Sequence, residues 1–190
     1  MKIPKEINVK TALILLVISI LLTSAFFYAF AATPSSTFYI SSGVYPGAPS
    51  YTVWGEGSNY FAKDANGQID YSGTNATAVA QNCVADDISL LFKGTIILNG
   101  QIRLANNMVV DLSNAKIKQG SIIGAYASIF VCEDISNVHI HGGRLDGNRR
   151  GGVTVGHGIF ILNSENITIN DVTISNTWGT GIVLLNATRC

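Results

Sequence analysis

Ile140-His141-Gly142-Gly143-Arg144-Leu145-Asp146 echoes Leu112-Ser113-Asn114-Ala115-Lys116-Ile117-Lys118, which lies 28 residues earlier. It returns as Ile169-Asn170-Asp171-Val172-Thr173-Ile174-Ser175, 29 residues later. A second unit fills the gaps: Gly156-His157-Gly158-Ile159-Phe160-Ile161-Leu162-Asn163 recurs 23 residues on as Gly179-Thr180-Gly181-Ile182-Val183-Leu184-Leu185-Asn186, with a looser copy at Ile129-Phe130-Val131-Cys132. The unit is a strand. Asn166 to Asn170 and Val172 to Ser175 alternate apolar and polar residues, are rich in β-branched side chains, and are separated by a corner too short for a helix. Recurrence of such units at a near-constant period predicts a solenoid: each strand pairs in parallel with its equivalents about 4.8 Å above and below, and inward Ile, Leu and Val columns fill the core. The expected fold is therefore all-β, a parallel β-helix with about three to four turns present.

The run from Asn137 to Asn148, followed by Gly158-Ile159-Phe160-Ile161 and Asn166-Ile167-Thr168-Ile169, resembles the right-handed parallel β-helix proteins of the pectate lyase and polygalacturonase type. The resemblance covers roughly Gly73 to Cys190. It implies the fold, and a polysaccharide lyase or glycoside hydrolase if the protein is an enzyme, but these motifs are shared with non-catalytic members. Calcium enters as a cofactor through this resemblance alone. Related lyases hold it with clustered Asp side chains beside an arginine base, and here the arginines occur without the cluster.

Outside the repeats the chain reads in three parts. Lys2, Lys5 and Lys10 precede an apolar stretch over 11–32 that ends in Ala29-Phe30-Ala31, a signal-peptidase pattern. At about 20 residues the stretch is also long enough to span a bilayer, so residues 1–32 are either a cleaved signal or a membrane anchor. In both cases the body is expected outside the cell or on its surface. Residues 33–73, rich in Gly, Ser, Pro and aromatics without sustained periodicity, read as a linker or arm. Residues 74–190 are the β-helix. There Thr74 or Asn75 can cap a short helix whose Ala76, Val79, Ala80, Cys83 and Val84 share one face, a lid for the open end of a solenoid. The chain stops at Cys190 in mid-repeat without a lid, so it is expected to be a fragment with further turns beyond it, the alternative being an open edge covered by another chain.

Formal net charge is zero and only 13% of residues are charged, which argues against a nucleic-acid binder relying on a global positive field. Cys83, Cys132 and Cys190 are too widely spaced for a metal knuckle, and two of them fall at apolar positions; no metal site is expected. Asn75, Asn166 and Asn186 head glycosylation sequons, meaningful in a host that glycosylates exported proteins. For Asn166, corner hydrogen bonds are the expected use.

Two departures from regularity carry the functional reading. The strand unit recurs at 29 and the glycine unit at 23, so a six-residue insertion lies between Asp146 and Gly156. It holds Arg149 and Arg150, beside Arg144, which points outward because Leu145 points in. Three guanidiniums at one loop suit the carboxylates of an acidic polysaccharide; the alternative is a solvated basic loop. His157 borders the loop as a further candidate contact. Its Gly-His-Gly resembles a polygalacturonase motif, but the Asn-Thr-Asp and Asp-Asp motifs that accompany it there do not precede it here, so His157 reads as a loop residue without a catalytic role. Nor do two carboxylates align on neighbouring strands, as glycosidic cleavage requires: Asp146 aligns with Lys118 and Ser175, Asp111 with His139 and Thr168. Catalytic residues are thus unassigned and expected beyond Cys190.

The second departure is that Ile159-Phe160-Ile161-Leu162 is apolar on both sides. If Ile159 and Ile161 point inward, Phe130, Phe160 and Leu162 form an outward face that must be covered, by the aromatic arm, by a missing segment, or by a second copy in a homo-oligomer. The expected function is an exported, membrane-anchored or secreted β-helix protein that binds or processes acidic polysaccharide; the alternative is a non-catalytic adhesion scaffold.

Overall fold

A computed structural model describes residues 49–120, 127–149 and 156–190. Residues 1–32, expected to be a signal or anchor, lie outside them, as do Arg150 and the rest of the inserted loop through Val155. Among the described residues the chain is mostly strand, with one short helix.

Three strands open the described chain: β1 (Tyr51–Glu56), β2 (Asn59–Asp64) and β3 (Ile69–Gly73). They form an antiparallel meander with Tyr51 opposite Asp64 and Trp54 opposite Phe61. This corrects the reading of residues 33–73 as a linker or arm, at least from Tyr51 onward. The period of two was masked because aromatic side chains stand on both faces: Val53 and Ala62 are buried in the core, while the Trp54 and Phe61 rings stack 5.5 Å apart on the other side. Helix α1 (Ala76–Gln81) follows, capped by Asn75, whose Oδ1 accepts from the backbone N–H groups of Thr77 and Ala78. Its Ala76, Val79 and Ala80 are buried, as the apolar spacing predicts, and it packs against β1, β2 and β3.

Parallel pairing takes over from β4 (Ser89–Leu98) and β5 (Ile102–Arg103). Next come β6 (Val109–Gln119), β7 (Ser128–Glu133), β8 (Ser136–His141), β9 (Arg144–Asp146) and β10 (His157–Leu162). The chain ends with β11 (Glu165–Asn170), β12 (Thr173–Ser175) and β13 (Ile182–Leu185). One sheet runs β11-β8-β6-β4-β1-β2-β3, with β9 joined to the far half of β6 and β12 joined to β9; the second runs β13-β10-β7-β5. Neither sheet closes on itself.

Three inward columns cross these strands: Leu90, Val110, Ile140 and Ile169; Ile96, Ile117, Leu145 and Ile174; and Ile102, Phe130, Ile159 and Ile182. The first three residues of each column are fully buried and belong to a single core, with the fourth half-buried against it. Corner asparagines hold the levels together. Asn166 Nδ2 donates to Asn137 Oδ1 and Asn137 Nδ2 to Asn107 Oδ1, at 3.0 and 2.9 Å, and Asn186 donates to Asn163 at 2.9 Å. All five have positive φ, a backbone region Asn tolerates better than most residues. Asn166 is thus engaged at a corner, as expected.

Two registers differ from the sequence reading. Phe130 pairs with Ile159, not Phe160, and points into the core with no exposed surface; Phe160 pairs with Val131. The outward column is therefore Val131, Phe160 and Val183, so the Phe130/Phe160/Leu162 face proposed for a homo-oligomer does not exist as such. Phe160 and Val131 are nevertheless buried, at 4% and 3% exposure, in keeping with a covered face, while Leu162 is half-buried. A strand apolar on both sides contains no polar residue to fix its parity, and a one-residue slip goes unmarked. Likewise Asp111 lies opposite His141, not His139, although Lys116 still meets Arg144 and Lys118 meets Asp146. The bend within β6 is two residues longer than the Gly142-Gly143 corner beside it. Both glycines have positive φ, and a Cβ on Gly143 would lie 2.1 Å from the Leu112 carbonyl oxygen.

No helix among the described residues is long and apolar enough to cross a membrane; the stretch over 11–32 lies outside them.

Candidate functional site

Because Ile117, Leu145 and Ile174 point inward, their neighbours on β6, β9 and β12 point out. Lys116, Arg144 and Thr173 form one outward row, and Lys118, Asp146 and Ser175 the next. Asp146 is the acid at the centre. Its Oδ2 lies 3.3 Å from Lys116 Nζ, and its Oδ1 accepts from Asn176 Nδ2 at 3.1 Å and from Asn148 N at 3.0 Å. Burial raises its pKa, but the hydrogen bonds from Asn148, Asn176 and Lys116 outweigh that and hold it below the usual carboxylate value. Asp146 is therefore an anion at neutral pH, matched to Lys116. No carboxylate among the described residues pairs with Lys118, Arg144 or Arg149.

Arg149 extends the face beyond β9. Its backbone N–H donates to the Asn176 carbonyl at 2.9 Å, and its guanidinium lies 4.7 Å from the centre of the Trp178 ring. Arg149 and Trp178 thus lie next to the outward positions of Lys116, Lys118 and Arg144, linked to them through Asn176, which accepts from Arg149 N and donates to Asp146. The two lysines were legible as outward positions from strand alternation. Trp178 was not, since it sits in a corner without periodicity.

His157 is placed differently from the expectation. It opens β10 rather than lying in the loop, and its Nδ1 accepts the backbone N–H of Thr180 at 3.0 Å. The imidazole thus braces the start of β10 against the corner that precedes β13, and this bond places the ring proton on Nε2.

A second polar group stands on the outer side of β6, β8 and β11. His141 Nδ1 is 3.7 Å from Asp111 Oδ1, the His139 and His141 rings are 5.1 Å apart, and Asn170 Nδ2 lies 3.3 Å from His139 Nε2. Burial, then the charge of His141, lowers the His139 pKa. The unfolded chain therefore takes up this proton first, so the stabilising contribution is complete above about pH 6.5 and is lost as pH falls below it. The melting temperature is expected to fall between about pH 7 and pH 5, and His139→Asn should flatten that fall. An unchanged slope in the variant would remove His139 as the cause.

Among the described residues no three His, Cys, Asp or Glu side chains converge, and Asp146 and Asp111 are already engaged by Lys116, Asn176, His141 and the Ser113 N–H. Burial raises the Cys83 and Cys132 thiols to about 12, leaving both protonated and unreactive.

The fold and face define an all-β protein of stacked parallel strands with a cationic, tryptophan-bearing surface. Among known proteins, no family model, curated protein or solved structure matches this chain.

Proposed function

We propose that this chain is an exported parallel β-helix protein, of the pectate-lyase-like kind, that binds acidic polysaccharide on the face built by Lys116, Lys118, Arg144 and Arg149. What supports the β-helix is that three sets of parallel strands send aligned columns into one core, at offsets of 28–30 residues from β6 to β8, β8 to β11, β6 to β9 and β9 to β12, with asparagine ladders at the corners. Parallel crossovers favour the right-handed form. Export rests on the basic N-terminus and its apolar run.

The observation that carries the function is the group of three cations, Lys118, Arg144 and Arg149, that have no carboxylate partner among the described residues and lie close together on a chain with zero formal net charge. Unpaired guanidinium and ammonium groups recognise carboxylates, and guanidinium does so with a bidentate geometry. Binding without cleavage is favoured because Asp146, the acid set among these cations, is already engaged by Lys116, Asn176 and Asn148. A surface adhesion scaffold shares this face and this chemistry.

The test is titration of the full chain against polygalacturonate and a neutral glucan. Polygalacturonate should bind more tightly, with added salt weakening it. Lys118→Ala combined with Arg144→Ala should reduce affinity about tenfold at low salt, given 0.2–1 kcal/mol for each exposed pair. Equal affinity for the two polymers would sink the proposal.

A further inference from the structure

Trp178 is the one tryptophan outside the meander, and it contributes nothing to the core: 45% of its surface is exposed. An isolated exposed aromatic residue is unremarkable by itself. This one is held rigidly by its backbone neighbours. On one side, the Asn176 carbonyl accepts from Arg149 N and the Asn176 amide donates to Asp146. On the other, Gly179 N donates to the Gly156 carbonyl at 2.9 Å and Thr180 N to His157 Nδ1. Thr177 Oγ1 closes the corner on the Gly179 carbonyl at 3.1 Å. The corner also packs so tightly on Gly147 that a Cβ there would lie 2.6 Å from Thr177 Cα. The indole is thus carried on a fixed corner, which lowers the ordering cost of any ligand that uses it.

We infer that Trp178 is a stacking platform for a sugar ring, and that Arg149 beside it receives the carboxylate of a uronate unit. This rests on the acidic-polysaccharide reading and extends it from a charged surface to a subsite that reads the pyranose ring as well as the charge. A pyranose presents an apolar face of C–H bonds, and the electron-rich face of an indole attracts such weakly positive edges as it attracts a cation. Arg149 lies 4.7 Å from the ring centre, and 45% of the Trp178 surface is exposed, so the sugar is assigned to the exposed part of the indole.

The distinguishing ligand is a polyanion without rings. In a W54F background, where Trp178 is the sole tryptophan, a galacturonate hexamer should change the tryptophan emission, whereas a glutamate hexamer of equal charge should not. W178A should weaken galacturonate binding about fivefold to tenfold while leaving any glutamate binding unchanged. In this variant the remaining affinity should become more salt-sensitive, because only the charge contacts survive. Galacturonate binding that is salt-sensitive, silent in Trp178 emission and indifferent to W178A overturns the platform and leaves the charge-based reading standing. Absence of galacturonate binding by the wild type overturns both.

Discussion

Ile140→Asp is expected to leave the chain unfolded at ordinary temperature, whereas Thr168→Asp should fold normally. Ile140 has no exposed surface and lies between Val110 and Ile169 in an inward column. A carboxylate there has no partner and loses its water, at a cost of several kcal/mol. Against a total stability of roughly 5–15 kcal/mol for a domain, that is a large share. Thr168 is exposed on β11, opposite His139, where a surface change moves stability by about 0.5 kcal/mol. Circular dichroism and thermal melting of the two variants decide the matter. Equal stability would mean that the inward and outward rows have been exchanged.

Gly143→Ala should be the next most damaging change, for two separable reasons. The residue has a φ of 68°, in the left-handed region that costs a side-chain-bearing residue about 1–2 kcal/mol. The new Cβ would also lie 2.1 Å from the Leu112 carbonyl oxygen and 2.7 Å from its Cβ, so backbone must move. Together these should cost about 3 kcal/mol or more. Gly57→Ala isolates the first effect: its φ is 60° and nothing lies within 4 Å of the added carbon, so only the conformational cost of about 1–2 kcal/mol should appear. Denaturant midpoints at constant slope measure the difference. If the two variants lose equal stability, the close approach of the Gly142-Gly143 corner to β6 is wrong.

The pattern of these effects follows what the residues themselves encode. Alternation along Arg144-Leu145-Asp146 and Ile167-Thr168-Ile169 set which side chains point in: Leu145 and Ile167 are buried while Arg144 and Thr168 are exposed. The helix after Asn75 was equally legible, because its cap and its apolar spacing are local. So was the pairing of Lys118 with Asp146, which the repeat aligned directly. Each of these depends on a few consecutive residues, whose preferences act wherever the chain goes.

Other features depended on lengths and neighbours that no short window contains. Ile129-Phe130-Val131-Cys132 is apolar throughout, so its register was set by packing Phe130 against Phe92, 6.2 Å between ring centres, and by pairing it with Ile159. The meander from Tyr51 to Gly73 was hidden because Trp54 and Phe61 cover each other across two strands, which makes an outward row look like core. The candidate site shows the same division. Sequence placed Arg144 outward and Arg149 in the adjoining loop, but Lys116, Arg149 and Trp178 lie as far as 62 positions apart. Only the stacking of β6, β9 and β12, with corners of unequal length between them, brings those side chains onto one surface. Alternation fixes the direction of a side chain from its own strand. Its neighbours across strands are decided by tertiary packing, because the depth of each corner sets which residue meets which.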